Sequence, residues 1–142
     1  MNPRLFHEQS MARRVGWSGL FGWAVLGFAL EAAHGFKWAA YLDDELARYL
    51  LRLAHAHGVL LSVVCLTYSS SGVRLFEQRP DCGRPVRRLL TTACWLMPTG
   101  FALSVLGHAE ADPGLAIWLV PVGGACLLAG LGWLSIASFS HT

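Results

Sequence analysis

Six histidines, nine carboxylate side chains and four cysteines are the groups in this 142-residue sequence suited to metal binding, proton transfer or nucleophilic attack. Imidazole together with carboxylate suits zinc or iron, and axial imidazoles hold haem. Glu31 and His34 are three residues apart, so a helix places them on one face, the Glu-x-x-His arrangement that di-iron bundles repeat on facing helices. Here it occurs once. The candidate metal ligands are Glu31, His34, His55 and His108, and the candidate cofactor ligands, for haem or a similar group, are His34, His55 and His108. The simpler reading of each histidine is a ring hydrogen-bonded locally at a membrane surface.

His55 and His57 are separated by about 200° around a helix axis. Helical spacing through His55 gives Arg48, Arg52, Gly58, Ser62, Cys65 and Ser69, a stripe small or polar throughout and suited to a packed interior. Spacing from His57 gives Leu61, Val64 and Tyr68. His55 is therefore expected to face inward, and His57 to face lipid headgroups or another subunit. Glu31 and Arg52 fall at similar depth on neighbouring helices and are expected to pair, because ionisable groups within a membrane usually have partners. The cysteines show no CxxC spacing, so neither a zinc site nor a disulfide framework is implied. No phosphate-binding loop, serine elbow or HExxH motif is present.

The elements that would carry these residues are membrane spans. Hydrophobic residues make up 54% of the chain and charged ones 14%, against about 25% charged in soluble domains. Stretches free of Asp, Glu, Lys and Arg cover 15–30, 53–73, 89–109 and 113–142. A crossing helix needs about 20 apolar residues. Extended to their natural ends, these stretches predict helices over about 15–35, 48–71, 88–109 and 115–139, with a polar cytoplasmic loop over 72–87. A β-barrel would need many alternating ten-residue segments, which are absent. The expected fold is all-α: one integral membrane four-helix bundle spanning residues 1–142. Glu31-Ala-Ala-His34 makes a poor signal-peptidase site, so the first helix is expected to stay uncleaved.

Orientation follows from the positive-inside rule. Arg4, Arg13, Arg14, Arg74, Arg79, Arg84, Arg87 and Arg88 lie on one side, against Lys37, Arg48 and Arg52 on the other. Both termini are thus expected in the cytoplasm, and the preference for Arg over Lys, with abundant Ala, Gly and Leu, points at the codon level to a GC-rich bacterial genome and so to a bacterial cytoplasmic membrane. A net charge of +2 gives no reason to expect nucleic acid as a partner. Pro98 and Pro121 fall mid-span and are expected to kink their helices. Small residues at four-residue spacing (Ser18 with Gly22, Ala125 with Ala129, Cys126 with Gly130), together with Gly123 and Gly124, mark helix-packing seams. Those seams serve either the bundle itself or a homodimer.

Ala32-Ala33-His34-Gly35-Phe36-Lys37 closes the first span, His55 stands early in the second, and Val120-Pro121-Val122-Gly123-Gly124 with Gly132-Trp133 marks the fourth. This order resembles the small four-helix membrane proteins of the bacterial YgdD-like and transmembrane protein 256-like group, a domain of unknown function. The group's Tyr-Gln before the helix-two histidine is missing here, and Val120 stands where it has Thr. The resemblance implies four crossings and draws attention to His34, His55 and Gly123-Gly124; it implies no reaction. The expected function is a non-enzymatic accessory or scaffold bundle in the lipid bilayer, working with itself or with other membrane subunits. The alternative is a haem- or metal-binding redox or assembly protein that uses the outer histidines.

Overall fold

A computed structural model describes residues 3–76, 80–107 and 112–139. Among them the chain is helical throughout, with no β-strand. The long helices are α1 (Pro3–Gly35), α3 (Glu45–Ser70), α4 (Pro80–Leu103) and α5 (Leu119–Phe139), with a single turn, α2 (Ala39–Leu42), in the first corner. Short 3-10 turns cover Gly72–Phe76 and Leu115–Trp118. Three segments are long and apolar enough to cross a membrane: Leu5–Gly35, Glu45–Ser70 and Leu115–Phe139, with mean hydropathies of 1.3, 1.6 and 2.0. α4 is less apolar, because its first turns carry Arg84, Arg87 and Arg88.

Two boundaries differ from expectation for the same reason. α1 begins at Pro3, not near residue 15, and α4 at Pro80, not 88. Charges bound an apolar stretch without bounding a helix: Arg13 and Arg14 project outward while Leu5, Glu8 and Ala12 of the same turns are buried. The 33 residues of α1 extend about 50 Å, well beyond a hydrocarbon core of about 30 Å. The expected 72–87 loop is correspondingly shorter. Gly72–Phe76 turns tightly, and its Val73 and Phe76 plug the end of the core. Pro121 is also not mid-span. With α5 starting at Leu119, it occupies the first turn, where its missing N–H removes no helical bond. The third long helix stops at Leu103, short of 109, in a turn where Gly107 has φ 73° and the Gly114 N–H donates to the Ser104 carbonyl at 2.8 Å.

The first corner is a helix stop followed by a cap. Trp38 N–H donates to Ala33 O and Lys37 N–H to His34 O, a Schellman pattern with Lys37 in the left-handed region at φ 53°. Asp44 then caps α3, accepting from Ala47 N–H at 2.8 Å. Arg48 Nη1 donates to the Leu42 carbonyl at 2.6 Å and ties α2 to α3.

α1, α3 and α4 pack against one another, whereas the backbone of α5 approaches α4 and the two 3-10 turns but neither α1 nor α3. The arrangement is a three-helix core with a fourth helix leaning on α4. Buried residues at helical spacing make the seams: Leu5, Glu8, Ala12, Gly16, Gly19 and Trp23 on α1, and Val86, Leu90, Cys94 and Pro98 on α4. A Cβ on Gly19 would lie 2.5 Å from Ser62 Oγ, so α1 and α3 can approach this closely only at a glycine.

Candidate functional site

At the end of the core where α1 finishes and α3 begins, the structure separates the histidines. His34 and Glu31 sit exposed on the last turns of α1. Arg52 is exposed on α3, and no ion pair joins it to Glu31 among the described residues. The expected pair is thus replaced by two separate exposed charges, because both residues lie off the buried stripes of their helices. His55 does face inward. Its Nδ1–H donates to the Trp23 carbonyl at 2.7 Å, and the ring lies against the bare backbone of Gly27. A carbonyl only accepts, so this bond fixes the tautomer and leaves Nε2 without the proton in the neutral ring.

His57 departs from expectation. Its Nδ1–H donates to Leu53 O at 2.9 Å, and its ring lies 5.0 Å from that of Phe101 at 39°. It is therefore half-buried against α4, where an outward-facing ring was expected. His108 lies outside the described residues. Among those that are described, no three His, Cys, Asp or Glu side chains come together as a metal site, so Glu31, His34 and His55 do not assemble into the expected ligand set. Beside His55, Trp23 is packed on Gly58 and tilted at 6.1 Å from Trp95; its buried indole N–H has no acceptor among the described residues.

The opposite end holds a polar cluster absent from the sequence-based expectations. Arg87 Nε donates to Glu8 Oε2, and both side chains are nearly buried. Tyr68, itself 2% exposed, donates its hydroxyl to Gly83 O at 2.8 Å next to this pair. The cluster stands on the N-terminal turns of α1 and α4, the two segments expected to be a flank and a loop. Its sequence signal is the spacing Leu5, Glu8, Ala12, Gly16, which puts Glu8 on the packed stripe. Between the two ends, small polar groups satisfy one another: Ser62 Oγ donates to Gly58 O at 2.7 Å and lies 3.7 Å from Cys94 Sγ, and Cys65 Sγ lies 3.7 Å from Leu90 O.

No family model, characterised protein or solved structure matches the chain. The site rests on this geometry alone.

The packing seams divide. Gly123 and Gly130 are the buried residues of α5, and a Cβ on either would meet α4, at Met97 N (2.9 Å) or at Leu90 Cδ2 (2.9 Å). Gly124 and Cys126 are half-buried beside them. Ser18 and Gly22 point outward, with nothing within 4 Å of a Cβ built on Gly22, and Ala125 and Ala129 are exposed. Those four do not pack this chain. On α1 the close approach belongs instead to Ala12, Gly16 and Gly19.

Proposed function

We propose that the chain is a multi-pass protein of a bacterial cytoplasmic membrane, crossing four times with both termini on the arginine-rich side. There it serves as a non-catalytic accessory or scaffold bundle. The observation that carries this reading is α5. Its span has a mean hydropathy of 2.0, yet only 11% of it is buried within the chain, leaving Leu128, Ile136 and Phe139 at least 70% exposed. Water does not tolerate a helix that is apolar on every side; lipid does. α4 lies between α3 and α5, so if those two cross the bilayer, α4 crosses with them. Its 24 residues extend about 36 Å, enough for the passage. Kinship with the small four-helix family enters this proposal on topology alone.

The scaffold reading is supported by how the interior uses its polar groups. Glu8 is committed to Arg87, Tyr68 to Gly83, Ser104 to Gly100 and His55 to Trp23, which suits groups that hold helices in place. The test is extraction of native membranes with alkaline carbonate. The protein is expected to stay in the pellet and to require detergent for release; recovery in the aqueous fraction would defeat the proposal.

A further inference from the structure

Because α5 packs on α4 and the two 3-10 turns but stands off α3, a groove remains between α3 and α5 at the arginine-rich end of the molecule. Its volume is about 400 Å³, within the range of small-molecule sites. Val63, Val64, Leu75, Leu131 and Leu134 give it apolar walls. Thr67, Ser71, Ser135 and Ser138 place hydroxyls along the same cleft. Its apolar walls, running along both helices, suit an extended acyl chain. Arg74, exposed on the 3-10 turn, stands between the lining residues Gly72 and Leu75. Exposed Arg13, Arg14, Arg84 and Arg88 mark the same end, and the one carboxylate side chain described there, Glu8, is taken by Arg87.

We propose that this groove seats an acyl chain of an anionic phospholipid whose phosphate is held by Arg74. The apolar walls match the chain, and the exposed Arg74, on the turn that supplies two of the lining residues, matches the headgroup in charge. Thr67 and Ser71 donate their hydroxyl protons to Val63 O and Thr67 O, and Ser138 donates to Ser135 O. The anion accordingly falls to the arginine, while the hydroxyl oxygens are left to accept from a polyol headgroup. The inference rests on the membrane reading above, yet fails separately from it. A chain found in the aqueous fraction defeats that reading, whereas a detergent-extracted chain without lipid preference defeats only this one.

The experiment is native mass spectrometry of the full chain in neutral detergent, titrated with dioleoyl phosphatidylglycerol, dioleoyl phosphatidylcholine or inorganic phosphate. Phosphatidylglycerol is expected to bind about five-fold tighter than phosphatidylcholine, the effect of one interfacial arginine. Inorganic phosphate should not be retained. Arg74→Gln, at an exposed site, should bring the two lipids level, and Ser135→Trp, which fills the groove from an exposed position, should weaken both. Equal retention of the two lipids by the unaltered chain would overturn the proposal. So would an unchanged preference in Arg74→Gln, or retention of free phosphate in the lipid's place.

Discussion

Glu8 and Arg87 are the residues on which the packing of the arginine-rich end turns. Two charges taken out of water repay their desolvation only while both are present, so losing one partner strands the other. Glu8→Ala is expected to destabilise the protein by about 3–5 kcal/mol, and the double variant Glu8→Leu with Arg87→Met to recover most of that loss. Thermal or denaturant unfolding in detergent measures it; a Glu8→Ala protein as stable as its parent would show the pair to be solvated. A rule that reads charge as a helix boundary hides this pair, because it assigns Glu8 to a flank and Arg87 to a loop. The small polar stripe was legible in part: Gly58, Ser62, Cys65 and Ser69 are buried as their spacing requires, whereas Arg52, on the same spacing, is exposed and Arg48 half-buried near the start of the helix. The inward aim of His55 was legible from that stripe, but the outward aim of His57 was not a safe corollary, because α3 is packed on two sides, with His55 against α1 and His57 against α4. The partner of His55 was not legible: it is a backbone carbonyl of α1, and spacing along one helix carries no information about the carbonyls of another.

At the scale of the helix, apolar length locates an element and says little about which side it packs. α5 is apolar all round, so its contact face is set by where the backbone is bare. Gly123 and Gly130 are seven residues apart, two turns on one face, and both sit against α4. Gly123→Leu should push α5 off α4 and speed amide exchange along 119–139, at about 2–3 kcal/mol, the scale of overpacking a filled seam. Gly22→Ala, with open space around it, should change stability by less than about 0.5 kcal/mol. Similar exchange in both variants would mean that α5 is held by something other than this seam. Four-residue spacing of small residues marks Ser18 with Gly22 as readily as it marks Cys126 with Gly130. Only the neighbouring helix distinguishes them, and that neighbour is a tertiary fact. The helix starts at Pro3 and Pro80 were obscured in the same way: proline in a first turn is compatible with a helix as well as with a loop.

At the scale of the whole molecule, the proposed membrane topology turns on how many of the four long helices cross. α1 and α4 carry the arginines on their N-terminal turns, and the Gly72–Phe76 turn adds Arg74, so one end of the packed helices is cationic. Each long helix reverses the direction of the one before, so four crossings would return the C-terminus to the side of the N-terminus. The three spans that are apolar enough by themselves would leave the termini on opposite sides if α4 remained outside. The number of crossings is therefore a parity measurement. Reporters active only in the cytoplasm, fused in turn after Met1 and after Thr142, should both be active. One inserted at Lys37, in the exposed corner after α1, should be silent. Activity at one terminus alone would require an odd number of crossings, placing α4 at the membrane surface. Its seam with α5 would then have to form outside the bilayer, where the exposed apolar face of α5 has no solvent to match it.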